Sequence, residues 1–161
     1  MAELLKDRDI GKTVGIAQLY TNQTQGGSSG DGFKLNNEKK AVKTITVWIN
    51  KGPVDYLDRD LVRAIEVVWT DGKTRSQGNK SGDSSSFTFD DDEKVTKLSL
   101  WAGGRVDKLS LTTNRTTWVN GGTGGTEHAQ KLGNGILLGF SGSSDKNGLV
   151  SLGAIFKEDS D

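Results

Sequence analysis

Hydrophobic and polar residues alternate along this chain in short runs. Between Ala41 and Asn50, Ile45, Val47 and Ile49 fall on one side and Thr44, Thr46 and Trp48 on the other. Between Leu61 and Trp69, Ile65, Val67 and Trp69 oppose Ala64, Glu66 and Val68. Lys97–Trp101, Val106–Thr113, Gly135–Phe140 and Ser151–Phe156 follow the same pattern. A period of two, rich in β-branched and aromatic residues, predicts strands. No long stretch carries the period of an amphipathic helix. Many short strands separated by glycine, asparagine, aspartate and serine predict an all-β sandwich, barrel or prism. Residues 1–13 are expected to form an N-terminal arm and residues 14–161 a single domain.

An internal repeat narrows the choice. Three glycine-rich loops share one spacing, Gly26 with Gly30, Gly78 with Gly82 and Gly121 with Gly125. Each is followed by a strand, a hairpin loop and a second strand. The first strands begin at Val42, Val95 and Ile136, and the second strands at Val62, Val106 and Leu149. Val42–Trp48 overlays Val95–Trp101 closely, and the third copy is looser. One such unit cannot bury its apolar face alone, whereas three around a pseudo-threefold axis can. The expected fold is a β-prism of three antiparallel, Greek-key-like sheets. Trp48 and Trp101, equivalent by repeat, are expected to be packing residues.

Composition removes several kinds of chemistry. The chain has 161 residues, and its 21 basic and 21 acidic residues cancel. A balanced charge argues against a broad electrostatic grip on nucleic acid or an anionic membrane. There is no cysteine, which excludes disulfides, thiolate metal sites and thiol nucleophiles. The single histidine, His128, is expected on the surface or in a loop and cannot by itself build a multi-histidine metal site. Ser141, Ser143 and Ser144 have no histidine partner in the sequence for hydrolase chemistry. The apolar runs are too short to cross a bilayer as a helix. The charged start MAELLKDRDIGK lacks the apolar core of a signal peptide, so the expected location is the cytoplasm or the exterior after unconventional export.

The ordered set of motifs resembles the jacalin-related lectins. It comprises GGSSGDGF with the following VKTITV, then AIEVVWTDGK, FDDDEKVTKLSLWAGG and LSLTTNRTT. It closes with GGTGGTEHAQKLGNGILLGFSGSS and LVSLGAIF. The match runs over roughly residues 14–157. The resemblance implies a β-prism that binds carbohydrate without a cofactor, a metal or catalysis. It implies a site between the first glycine loop and the last hairpin, where an aspartate in a Gly-x-x-x-Asp motif accepts hydrogen bonds from two sugar hydroxyls. A carboxylate has several lone pairs and no donor, which suits paired hydroxyls. The chain runs uncut through Gly26, which resembles the mannose and glucose type rather than the galactose type.

This sequence departs from that pattern in the last hairpin. The family's aspartate falls on Val150, which has no acceptor, and in the first repeat the equivalent position is Arg63. Only the second repeat keeps the motif, as Gly103, Gly104, Arg105, Val106 and Asp107. Pseudo-threefold pairing sets that hairpin opposite Gly121 and Gly122 of the third loop. The expected carbohydrate site is therefore Gly103, Gly104, Arg105, Val106, Asp107, Gly121 and Gly122. In it Asp107 accepts hydroxyls, the Gly122 amide donates to a third, and Arg105 covers the ring or reaches an outer sugar. Gly26, Gly27 and Asp145 form the weaker, ancestral alternative.

The partners this implies are glycans or glycoproteins. Because one shallow sugar site is weak, a homo-oligomer is expected to supply valency. The altered first and third hairpins keep a second reading open, a protein-interaction or toxin-type module that kept the prism and lost sugar binding. Asp90–Glu93 reads as a solvated turn. The spacing of Asp55, Asp58 and Asp60 is compatible with a paired-carboxylate glycosidase, but the sequence shows no environment that would raise the pKa of one of them. Asn22, Asn79 and Asn114 begin glycosylation sequons that matter only in a secreted protein.

Overall fold

Each alternating run becomes a strand of a central hairpin, and each hairpin lies at the middle of one of three antiparallel sheets. The computed structural model describes residues 19–158, so the expected arm over residues 1–13 lies outside the described residues. In chain order the strands are β1 (Leu19–Thr21), β2 (Gln25–Gly26), β3 (Asp31–Asn36), β4 (Val42–Lys51), β5 (Asp60–Trp69) and β6 (Thr74–Gly78). There follow β7 (Asp83–Thr88), β8 (Val95–Ala102), β9 (Val106–Thr113), β10 (Thr117–Gly121), β11 (Thr126–Ala129), β12 (Leu137–Asp145) and β13 (Gly148–Lys157). One 3-10 turn, Val54–Tyr56, sits in the loop between β4 and β5. Among the described residues no helix is long and apolar enough to cross a membrane.

Two sheets are continuous in the chain, with strand orders β6-β5-β4-β7 and β10-β9-β8-β11. In each, the fourth strand returns to lie beside the first, which is a Greek key. The remaining sheet, β1-β13-β12-β3 with β2 beside β13, joins the first and last strands of the described residues. The walls are thus out of phase with the repeat read from sequence. A glycine loop links the two outer strands of its own wall, so the loop after β2 belongs with β12 and β13 rather than with β4 and β5. The symmetry extends to irregularities. Every central hairpin slips register near both of its ends, at Val42/Thr44 and Trp48/Ile49, at Val95/Lys97 and Trp101/Ala102, and at Leu137/Gly139 and Ser143/Ser144. Paired bulges of this kind strengthen the twist that lets three sheets close on one axis.

The inward residues of the three hairpins meet along that axis. Ile45, Ile65, Val67, Leu98, Leu100, Leu109, Leu111, Phe140 and Phe156 are buried there, joined by Leu35 of the outer strand β3. Trp69 joins two walls, because its indole N–H donates to the Leu138 carbonyl at 2.9 Å. Trp48 and Trp101 are half-buried on the outer faces, with Lys80 at 5.0 Å over the first ring and Lys108 at 4.2 Å over the second. His128 lies in β11, opposite Leu100, rather than in a loop. Asn22 is buried, and its side-chain amide donates to the Lys131 and Ala154 carbonyls. That asparagine is a structural tie, not an accessible glycosylation point.

Candidate functional site

The three glycine loops and the three hairpin tips gather at one end of the prism. There each loop donates a backbone N–H to the hairpin of its own wall. Gly27 donates to the Val150 carbonyl at 3.0 Å, Asn79 to Arg63 at 3.0 Å and Gly122 to Asp107 at 2.8 Å. Arg63, Asp107 and Val150 are therefore equivalent positions on a symmetric backbone. The loops need glycine where they turn. Gly26, Gly78 and Gly121 have φ of 131°, 102° and 134°, and a Cβ on Gly121 would strike the Asp107 carbonyl and the Lys108 backbone.

Asp107 is brought beside Gly121 and Gly122, and its side chain is fully buried. Gly124 and Gly125 close over it; a Cβ on Gly125 would lie 2.7 Å from Asp107 Oδ1, and one on Gly124 2.7 Å from Oδ2. Oδ2 accepts from Arg59, with Nη2 at 2.5 Å and Nε at 3.1 Å, while Oδ1 has no hydrogen-bond partner. A buried carboxylate oxygen without a donor costs about 1–3 kcal/mol, so the site holds unmet acceptor capacity. The Gly122 amide, expected to reach a sugar hydroxyl, is instead committed to the Asp107 carbonyl.

The first hairpin, through its long loop between Lys51 and Asp60, supplies residues that sequence reasoning missed. Tyr56 stands on Gly104, where any Cβ would collide with its hydroxyl, and Gly122 is packed under the Asp60 carbonyl. Arg59 lies 5.4 Å from the Tyr56 ring centroid and reaches over to Asp107. The loop bonds mainly to itself, through Gly52 N–H to the Tyr56 and Arg59 carbonyls and Arg59 N–H to Tyr56. Val54 and Leu57 are 80% and 62% exposed, so apolar burial does little to anchor the tip. The one legible signal was length: β8 and β9 are joined by three residues, β4 and β5 by eight.

Arg105 does not face this pocket. Its guanidinium donates to Asp145 Oδ2 at 2.6 Å and to the Leu149 carbonyl at 3.0 Å, crossing to the last hairpin. Arg63 crosses to the same hairpin, donating from Nε to the Asn147 carbonyl at 2.7 Å and from Nη1 to the Lys51 carbonyl. Burial pulls the Arg63 guanidinium below its ordinary pKa, the Arg105 charge lowers it further, and Asp145 opposes both. For Asp145, burial pushes the carboxyl up, but the Arg105 hydrogen bond, the Asn147 amide and the Arg105 charge together hold it below its ordinary value. Asp145 is thus spent on Arg105. Beside it, Gly27 packs against Val150 and the Gly104 carbonyl, and Gly26 bonds in register with Ser151. Gly103 is open, with nothing near its missing Cβ.

A cavity of about 540 Å³ opens between the first and last hairpins, lined by Pro53, Val54, Asp55, Tyr56, Arg105, Lys146 and Asn147. The acidic turn Asp90–Glu93 rims a separate hollow of about 170 Å³ with Val42, Phe89 and Leu137. That turn is braced by Arg115 on Asp92 at 2.5 Å and by the Asp90 amide on Glu93. Among the described residues no cluster of histidine, aspartate or glutamate could hold a metal ion.

The Jacalin-like lectin domain profile matches residues 22–155. Among solved structures, Lamprey immune protein aligns with a TM-score of 0.75 at 26% identity, over 89% of this chain and 45% of that one. This chain therefore spans under half the length of that protein. Malaysian banana lectin aligns with a TM-score of 0.69 at 23% identity, over 89% of this chain and 99% of the lectin. A mannose binding jacalin related lectin from Ananas comosus aligns with a TM-score of 0.68 at 18% identity, over 86% and 98%. Likeness at these last two identities speaks for the fold alone. No curated protein matches the chain. With three Greek-key walls, glycine loops bonded to hairpins in threefold register, and a family match across nearly all described residues, the chain belongs to the jacalin-like lectin domain family.

Proposed function

We propose that this chain is a carbohydrate-binding module without catalysis, directed at mannose- or glucose-type glycans. Its pocket lies between the second hairpin and the third glycine loop. The carrying observation is Asp107, a buried carboxylate with one oxygen lacking any donor, walled by Gly124 and Gly125, where any side chain would strike its oxygens. Two adjacent sugar hydroxyls supply the donors a carboxylate needs. For a neutral sugar to reach both oxygens, Arg59 swings outward; its side chain is 38% exposed, so water receives it readily. Gly103, open beside the second hairpin, forms the near wall, while Gly104 lies under Tyr56. The Ananas comosus relative is itself described as mannose binding, and a mannose-type ligand agrees with the uncut first loop here.

Calorimetric titration with methyl α-mannoside tests this reading. Binding is expected near millimolar, about −4 kcal/mol for one shallow site. Asp107→Asn keeps the shape and removes the charge, and is expected to abolish detectable binding. Unchanged affinity in Asp107→Asn, with loss on changing Asp145 or Gly27, would move the site to the ancestral pocket. Since Asp107 is the one carboxylate among the three equivalent positions, valency comes from self-association, and linked sites gain about 10²–10⁴-fold in avidity. Sedimentation velocity that shows only monomer at high concentration counts against that part.

A second reading has its own observation. Arg59, Arg63 and Arg105 tie the hairpin tips together across the loop end of the prism. A module that had lost sugar binding and recognises protein would tolerate such a closed end. A glycan array with no signal, from protein whose fold is verified, decides for it.

A further inference from the structure

The exposed recognition group of the Asp107 pocket is a cation. Asp107 itself is fully buried, and what stands over it is the Arg59 guanidinium, 38% exposed. Arg59 uses Nε and Nη2 on Asp107 Oδ2, and Nη1 has no partner among the described residues. A guanidinium presents five N–H donors in a planar fork that matches a carboxylate or sulfate. The pocket as it stands therefore offers donors to a ligand where the family site offers an acceptor.

Neighbouring charges lean the same way. Beyond Tyr56 the open cavity carries Arg105 and Lys146, and behind Arg105 lies buried Arg63, so two guanidiniums share the single carboxylate Asp145. Lys146 makes no ion pair among the described residues. Asp60 is matched by Lys51 at 3.1 Å. The opposing charges are Asp55 and Asp58, both exposed on the first-hairpin loop and screened by water.

Taking the Asp107 pocket as the lectin site, we infer that it selects acidic over neutral sugars, with Arg59 receiving the ligand's carboxylate or sulfate. A neutral sugar has to displace Arg59 from Asp107, breaking charge-assisted hydrogen bonds before it makes its own. An acidic sugar leaves that pair intact and takes the unused donors. Asp107 then acts as a positioning residue that fixes the guanidinium, and Arg59 sets the ligand class.

The test compares methyl α-glucoside, its 6-sulfate and methyl α-glucuronide, three ligands on one ring, against wild-type protein and Arg59→Gln. Glutamine still donates to Asp107 but brings no charge, and circular dichroism checks that the variant folds. Wild type is expected to bind the glucuronide about tenfold tighter than the glucoside, a preference that shrinks as salt rises. In Arg59→Gln the preference disappears and the glucoside gains affinity. Comparison of the glucuronide with the 6-sulfate tells which anion the fork prefers. Equal wild-type affinities, or a preference that persists in Arg59→Gln, overturn the inference. If wild type binds all three ligands equally and Asp107→Asn loses them all, the inference fails while the lectin reading stands. If the glucuronide binds through Arg59 and the glucoside never binds, the inference stands and the neutral-glycan reading falls. Silence from every ligand in both proteins overturns both.

Discussion

The second and third hairpins share one backbone and have opposite chemistry. Gly122 N–H reaches the Asp107 carbonyl at 2.8 Å, and Gly27 N–H reaches the Val150 carbonyl at 3.0 Å. Yet one side chain is a buried carboxylate covered by an arginine, and the other is a valine, 1% exposed, packed against its glycine loop. Backbone geometry at these positions is dictated by the glycine turns and the bulged hairpins, so it survives substitution. Ligand chemistry rests on one side chain, and it does not survive. A conserved-looking frame is therefore a poor guide to which of three equivalent pockets works.

Exchanging the two residues breaks the comparison most sharply. Val150→Asp places a carboxylate in a hairpin where the Arg105 guanidinium is already spent on Asp145. A buried, unmatched charge is expected to cost about 3 kcal/mol or more. Asp107→Val removes the other carboxylate and frees Arg59 into water. With the exposed Arg59 received by water, no buried charge is left unmatched, so the expected change is within about 1 kcal/mol, with sugar binding lost. Urea denaturation of the two variants measures the contrast; equal destabilisation would mean that the two sites are alike after all.

Gly27→Ala is the next largest effect. Its Cβ would sit 2.5 Å from the Gly104 carbonyl oxygen and 2.9 Å from Val150 Cγ1. Overpacking of this kind is expected to cost about 1–3 kcal/mol in the same assay. Val150→Ala sharpens the comparison from the other side. It removes two buried carbons, about 1.6 kcal/mol at 0.8 per methylene, and leaves sugar affinity unchanged. A loss of sugar affinity in Val150→Ala would place the ligand in the third pocket.

The smallest effect concerns pH. Asp145 has its pKa lowered in the folded state, so its ion pair with Arg105 adds stability above the unfolded carboxylate value of about 4. That contribution is lost as pH falls through the depressed folded value. Asp145→Asn is expected to flatten the stability profile below about pH 4 and to leave its neutral-pH shape alone. A slope identical to wild type would mean that Arg105 holds the last hairpin without the charge of Asp145.

Legibility followed burial. The strands read from the sequence are the six central ones, with a sharp alternation of burial in β4 and β9 and an almost continuous buried run in β13. The outer strands β1, β2, β3, β6, β7, β10 and β11 were missed, because they are short and each offers few apolar positions, such as Phe87 alone in Asp83–Thr88 and none in Thr74–Gly78. The pairing of Asp107 with the third glycine loop could be read, since the family resemblance pairs the first loop with the last hairpin and the threefold repeat carries that pairing round. Arg59 could not be read that way, because it enters from another wall and breaks the symmetry. The same holds for Arg105, which sits within the Gly-x-x-x-Asp motif and turns out to the neighbouring hairpin instead.

The amino-acid order alone determined the all-β class, the threefold repeat and the survival of a single carboxylate among three equivalent positions. Those properties are local: alternation sets strands, glycine sets turns, and an aspartate either stands at a position or does not. Tertiary structure alone decided the burial of Asp107 and its cover by Arg59. Those outcomes depend on which hairpins meet around the axis. An eight-residue loop on the first wall reaches the second wall's pocket only once the three sheets have closed.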